Sequence, residues 1–358
     1  MSSVKDVAHG SRRNAYTALI LSTLAMIVCF MSWSNFAPLA SQVAEMFNLD
    51  VSQRTLLLAT PVLLGSIMRI PVGILSDRYG GKKVYLILMA FILIPLIMIP
   101  HVHSFGMLLF AALLVGMSGT SFAVGVSYAS VWFPPEQQGL ALGIVSMGNM
   151  GNAVAAMTLP YISKAAGFDS VYYFLIILTV IFGVLFAVFC KEMPVDKSKT
   201  IKGALSVATD SGTWYLSLFY FLTFGLFVAF TNLTPTFLTG MFHYTPVTAG
   251  LYSALFAFVC TLVRPFGGYL ADRKRPMALL QWVFVAIVIF AIWIMLSFHN
   301  QFMFIAGIVL VGLSAGIGNG VVFKMVPYVS QGNTGAVTGF VGAVGGLGGF
   351  FPPLIIGY

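Results

Sequence analysis

Long apolar runs separated by short polar interruptions recur along the whole chain, at 15–39, 53–76, 84–100, 104–131, 139–163, 170–191, 213–238, 248–271, 277–298, 302–325 and 335–357. Each is of the order of the ~20 residues needed to cross ~30 Å of hydrocarbon as a helix. The pattern predicts eleven spans and an all-α integral membrane protein, since a helix satisfies its own backbone inside lipid. The one long polar connection between spans runs from Lys191 to Ser211 and is rich in Lys, Asp, Ser and Thr. It divides the chain into an N-terminal six-helix bundle (1–192), a cytoplasmic linker (193–212) and a C-terminal bundle (213–358) holding five helices.

The halves repeat one another. RIPVGILSDR at 69–78 recurs as RPFGGYLADR at 264–273, an offset of 195 that keeps Arg69/Arg264, Gly73/Gly268, Leu75/Leu270, Asp77/Asp272 and Arg78/Arg273. Such an offset predicts two parallel six-helix repeats related by an axis along the membrane normal. Eleven spans fall one short of that plan, so the twelfth helix is expected to be missing. Small residues form stripes on the fourth span (Gly116, Gly119, Ala123, Ser127, Ser130) and the tenth (Gly312, Gly316, Gly320). Stripes of this kind let helix backbones approach closely.

Composition agrees with the pattern: 59% of residues are hydrophobic and 8% charged, too little polar material to coat a soluble domain. The net charge of +8 would suit nucleic acid were it clustered on a soluble face, but it is sided across the spans. With the N-terminus cytoplasmic, Lys5, Arg12, Arg13, Arg78, Lys82, Lys83, Lys191, Lys197, Lys199, Lys202, Arg273, Lys274, Arg275 and Lys324 lie inside, and only Arg54 and Lys164 outside. That is the positive-inside distribution of a multi-pass protein of the cell membrane, and it excludes nucleic acid as a partner. Cys29, Cys190 and Cys260 fall within spans without paired spacing and read as small core residues. The first apolar run ends at Pro38 with no small-residue cleavage site, so it is expected to be a helix and not a removable signal.

Arg69 and Arg264 stand inside apolar runs, where an uncompensated charge is costly and marks function. Each lies eight residues before its aspartate, about 12 Å along a helix at ~1.5 Å per residue, which sets both near mid-depth. All ten acids, Asp6, Glu45, Asp50, Asp77, Glu136, Asp169, Glu192, Asp196, Asp210 and Asp272, lie at helix ends or in loops. With no internal counter-ion, the two arginines are read as binding an anion between the halves. Guanidinium suits the task because it keeps its charge and offers a flat fork of donors, whereas a buried lysine sheds its proton readily. His9, His101, His103, His243 and His299 sit near loops with no metal-ligand spacing, and no cofactor is implied. No nucleophile–base pair or phosphate loop lies within the spans, so no enzymatic reaction is expected.

The segment GILSDRYGGKK at 73–83, with Asp77, Arg78, Gly80 and Lys82, resembles the signature of the major facilitator superfamily. The mid-helix arginines, SMGNMGNAVAAMTLP at 146–160, TGFVGAVGGLGGFFPP at 338–353 and GIGNGVVFKMVP at 316–327 together resemble its nitrate/nitrite porter family, the NarK/NasA branch. The resemblance implies that Arg69 and Arg264 hold the substrate together with Tyr220 of the seventh span and Asn149 of the fifth. It implies aromatic walls at Phe122 and Phe224. By the same resemblance Asp77 and Arg78 serve in gating. The glycines Gly148 and Gly151 of the fifth span and Gly345, Gly346, Gly348 and Gly349 of the eleventh serve in helix packing and gating. Gly335, Gly339, Gly342, Gly346 and Gly349 recur every three or four residues and are expected on one face of the eleventh span, where a neighbour could slide. Asn152, Ala153 and Val154 replace glycine or serine found in some members.

The expected function is secondary active transport of nitrate, nitrite or both. Two forks, a phenol and an amide would replace much of a planar anion's water. The missing intramembrane acid favours nitrate/nitrite exchange, because an empty carrier would bury two unpaired cations. Proton-coupled nitrate uptake for assimilation stays open, with protons then a partner beside membrane lipid. So do a carrier of another small anion such as formate and an anion-sensing membrane protein. Oligomeric state is not legible in the residues.

Overall fold

Proline and glycine decide where these apolar helices bend. Pro71 and Pro265 each follow an intramembrane arginine closely, and a proline ring excludes the carbonyl four residues back and offers it no N–H. The second and eighth spans are accordingly interrupted at Met68 and Val263, just ahead of Arg69 and Arg264. Glycine-containing stretches in the fourth and fifth spans tighten into 3₁₀ turns, Gly116–Thr120 and Met147–Met150.

The computed structural model describes residues 12–194, 205–329 and 333–356. In chain order the helices are α1 (Arg12–Trp33), α2 (Ala40–Phe47), α3 (Val51–Ile67), α4 (Arg69–Tyr79), α5 (Gly81–Met98), α6 (Phe105–Val115), α7 (Ser121–Ser130), α8 (Pro135–Ser146) and α9 (Gly151–Ala166). They continue with α10 (Phe168–Phe189), α11 (Ser211–Phe242), α12 (Pro246–Leu262), α13 (Arg264–Arg273), α14 (Pro276–Leu296), α15 (Gln301–Val329) and α16 (Thr334–Ile356). The pairs α3–α4, α6–α7, α8–α9 and α12–α13 are the second, fourth, fifth and eighth spans. Ten helices or helix pairs among the described residues are long and apolar enough to cross a membrane, and no strand occurs among them. The eleventh predicted segment forms α16, 23 residues packed against α3, α4, α7 and α11. The first span ends earlier than its hydrophobicity suggests, at Trp33, while α11 runs on past Pro235 to Phe242. Half of the expected linker, 195–204, lies outside the described residues.

Within each half the small-residue stripes bring backbones together. A methyl on Gly151 would meet the Ile27 carbonyl, and one on Gly148 the Met26 side chain, so both glycines seat α1 on the fifth span. Gly116 abuts the Pro61 carbonyl, Gly316 the Cys260 carbonyl and Gly312 the Phe256 ring. Cys29, Cys190 and Cys260 are buried and free.

The loops rich in Lys and Arg collect on one face. There Gly80 turns the chain at φ 97°, a left-handed value that a side chain would resist. The turn presents the Lys82 and Lys83 amides to Glu192 (3.2 and 3.0 Å), and the Lys82 Nζ donates to the Ala187 carbonyl (2.8 Å). The signature loop is thereby tied to the end of α10.

Candidate functional site

The halves meet at the basic face through two equivalent carboxylate caps. Asp77, at the end of α4, accepts from the Gly335 and Ala336 amides at the start of α16 (both 2.9 Å). Asp272, at the end of α13, accepts from the Gly139 and Leu140 amides in the first turns of α8 (3.0 and 2.8 Å). Gly335 and Ala336 are among the unpaired N–H groups of a helix N-terminus, where partial positive charge favours a carboxylate, whereas Gly139 and Leu140 are the fifth and sixth residues of α8. In both cases an aspartate of one half closes on a helix of the other. One turn inward the backbones touch: Gly73 opposes Gly335 and Gly268 opposes Gly139, each placed so that a methyl would strike the other's carbonyl. The halves also meet on the opposite side, where α16 contacts α3 and α9 contacts α12.

The two caps differ in charge. Lys324, counted from sequence among the cations of the cytoplasmic side, is buried at 3% exposure on α15. Its Nζ pairs with Asp272 at 2.6 Å and also donates to the Pro135 carbonyl. At the matching place in the first half, the Ser127 hydroxyl donates to Asp77 at 3.0 Å. Arg78 lies over the ring of Tyr79, 5.4 Å from its centroid, on its own helix.

Between this closure and the far side lie both intramembrane arginines, each with 0% exposure. Arg69 Nη1 donates to the Gly342 carbonyl of α16 (2.8 Å), and Arg264 Nη1 to the Ser146 carbonyl at the end of α8 (3.2 Å). Each guanidinium therefore reaches into the opposite half. Arg69 Nε donates in addition to Gly119 (3.1 Å), in the 3₁₀ turn of its own half. The remaining groups, Arg69 Nη2 and Arg264 Nε and Nη2, have no hydrogen-bond partner among the described residues. Unsatisfied donors on a buried cation are costly, and they are what an anion would satisfy.

Aromatic rings enclose these donors. The Phe224 centroid lies 5.8 Å from the guanidinium carbon of Arg69 and 5.7 Å from that of Arg264, so a single ring touches both cations. Phe122 and Trp33 flank Arg69 (5.4 and 5.9 Å), and Phe227 flanks Arg264 (5.2 Å). Tyr220 stacks between Phe224 (4.8 Å) and Phe122 (6.0 Å), with Phe323 edge-on to it at 4.8 Å. Its hydroxyl is turned to both arginines, with Arg264 the nearest polar partner, and meets no partner at full hydrogen-bond geometry among the described residues.

Arg69, Arg264, Tyr220, Phe122 and Phe224, all expected at the site, thus come together. Asn149 is beside them, anchored to the same end of α8. Its Nδ2 donates to the Ser146 carbonyl (3.0 Å), the one that Arg264 also uses, leaving Oδ1 unpartnered. Of the five α16 glycines expected on one face, four share it and Gly349 lies on another with Gly345 and Gly348. Gly335, Gly339, Gly342 and Gly346 meet α3 and α4 at Gly73, Arg69 and Ser66, whereas Gly345, Gly348 and Gly349 meet α11 at Tyr220, Phe221 and Val228. Phe227, Phe323, Trp33, Ser146 and Lys324 were not singled out as site residues. Spacing alone does not separate them from the rest of the 32 phenylalanines and the other core positions.

The sequence matches the Major Facilitator Superfamily model over residues 22–353. It is 38% identical over 343 residues to a nitrite extrusion protein of Bacillus subtilis (strain 168), covering 94% of this chain and 86% of that one. It is 37% identical over 341 residues to the "Probable nitrate transporter NarT" of Staphylococcus carnosus (strain TM300), covering 95% and 88%. Among solved structures it resembles the human organic anion transporter MFSD10 (TETRAN), with a TM-score of 0.75, 14% identity and coverage of 95% and 92%. A bacterial homolog of the human lysosomal transporter Spinster, inward-facing and occupied, gives 0.65 at 18% identity, covering 96% and 81%.

Proposed function

We propose, from the premise that this chain belongs to the major facilitator superfamily and to its nitrate/nitrite porter family, that it exchanges nitrate for nitrite across the cell membrane by alternating access. The observation that carries the reading is the pair of fully buried arginines, each bonded to a backbone carbonyl of the opposite half and together holding three unpartnered N–H-bearing nitrogens. A planar anion with two or three acceptor oxygens fits that demand. Phe122, Phe224 and Tyr220 exclude water from it, which strengthens each polar contact.

Because each arginine reaches across, an anion between them ties the halves 1–192 and 213–358 in the closed state. Opening toward the basic face then requires release of the four amide bonds on Asp77 and Asp272 and separation of the Gly73/Gly335 and Gly139/Gly268 contacts. Without substrate, the closed state buries cations whose free donors nothing satisfies, so reorientation of the empty carrier is slow. No carboxylate among the described residues is bonded to either arginine, and a carboxylate there would otherwise carry a proton and neutralise the empty site. The basic face, with Arg78, Lys82, Lys83, Arg273, Lys274 and Arg275, is the cytoplasmic one, which puts the N-terminus inside.

Labelled nitrate uptake into proteoliposomes tests this, with and without internal nitrite and with and without an inward proton gradient. Uptake that needs internal nitrite and ignores the gradient is expected. Proton-driven uptake into nitrite-free vesicles would make the protein a symporter.

A further inference from the structure

We propose that Asn319 of α15 is a further substrate-contacting residue, its side-chain amide taking one oxygen of the anion beside Arg264. The proposal rests on the transport reading above and names a contact within the same site. Asn319 has 0% exposure, and neither its Nδ2 nor its Oδ1 has a hydrogen-bond partner among the described residues. A buried amide with both ends unsatisfied is costly and is kept where something else satisfies it.

Its neighbours fix its level. Gly320, the next residue, abuts the Arg264 carbonyl and lies beside the Gly268 amide, so this turn of α15 lies alongside the start of α13. Phe323, one helical turn on, packs edge-on to both Tyr220 and Phe122 at 4.8 Å, which turns that side of α15 toward the aromatic wall of the site. Residues four apart share a helix face, so Asn319 stands on the side of α15 that faces the start of α13 and the aromatic wall, one turn from Phe323. The open groups are complementary. Arg264 Nε and Nη2 lack acceptors, and Asn319 offers an unused acceptor and an unused donor. With Oδ1 turned to the guanidinium, Nδ2 faces the anion that the guanidinium holds. Asn149 is less suited to that part, since one of its N–H bonds is already spent on the Ser146 carbonyl.

Asn319→Leu keeps the γ-branched shape at somewhat larger volume and removes both polar ends, while Asn319→Asp offers Arg264 a carboxylate that competes with the anion. Nitrate-induced rise in Tm and uptake kinetics of the purified full chain read the outcome. For N319L we expect KM and the nitrate Kd to rise about tenfold with kcat little changed, the loss of one hydrogen bond to a charged ligand. N319D is expected to lose nitrate stabilisation altogether. A folded N319L with unchanged nitrate Kd and KM overturns the proposal. Should N319L fail to fold, N319S removes the amide at smaller cost and decides by the same readouts. If the unaltered chain itself shows no response to nitrate, the transport reading fails first and separately.

Discussion

A guanidinium in a dry site is useful in proportion to the donors it leaves uncommitted, and the two arginines differ in this. Arg69 spends Nε and Nη1 on Gly119 and Gly342, whereas Arg264 spends only Nη1 on Ser146. Lysine in either place keeps a charge but loses the fork. Hydrogen bonds to charged groups contribute roughly 1.5–3 kcal/mol each, so Arg69→Lys is expected to lower kcat/KM for nitrate about 10- to 100-fold. Arg264→Lys is expected to lower it further, because two open nitrogens disappear instead of one. Proteoliposome uptake measures both, and full activity in either variant would contradict recognition by forks. Tyr220→Phe keeps the stack with Phe122 and Phe224 and removes only the hydroxyl. A fall of roughly tenfold, carried mainly in KM, is the expected result.

At the level of helices, the basic face is held by two caps of similar geometry and different electrostatics. Asp77→Asn weakens an anionic cap, a change worth about 0.5–2 kcal/mol, and should loosen α16 from α4. Spin labels at Lys83 and Lys274, exposed on opposite halves, are expected to report a wider basic face in that variant. Asp272→Asn removes the cap on α8 and also strands the buried Lys324, and breaking one partner of a buried pair costs about 3–5 kcal/mol. It should therefore lower Tm more than Asp77→Asn does. Adding Lys324→Met to Asp272→Asn should recover most of that loss, since no unpaired charge remains. Failure of the second change to restore Tm would show that Lys324 depends on Pro135 more than on Asp272. The glycine crossings make a simpler prediction: Gly139→Ala or Gly268→Ala puts a methyl into the opposing backbone. Transport should fall sharply while the separate halves keep their packing.

At the scale of the molecule, the arginines and the caps belong to one device. The polar contacts described between the halves each join a side chain of one half to backbone of the other: Arg69 to Gly342, Arg264 to Ser146, Lys324 to Pro135, Asp77 to the start of α16 and Asp272 to α8. Substrate that satisfies the arginines stabilises the same closed arrangement that the aspartates cap. Millimolar nitrate is therefore expected to narrow the Lys83–Lys274 distance distribution in labelled protein, and sulfate, larger and tetrahedral, to narrow it less. An equal response to both would mean that the site reads charge alone.

Much of this protein is decided by one-dimensional pattern. The apolar runs fix the spans, because backbone in lipid has no alternative to a helix, and the repeated decapeptides place Arg69 and Arg264 at matching depth in two halves. The absence of acids from span interiors marks both arginines as candidate anion ligands before any contact is known. Tertiary structure decides what each polar group has left to give. Asn149 gives one N–H to a carbonyl of its own span, Asn319 gives none, and Lys324 is drawn from the cytoplasmic-side cations into a buried pair. Commitment of a donor depends on which carbonyl or carboxylate the fold brings within about 3 Å, and residues 118 or 273 positions apart carry no trace of that in their order.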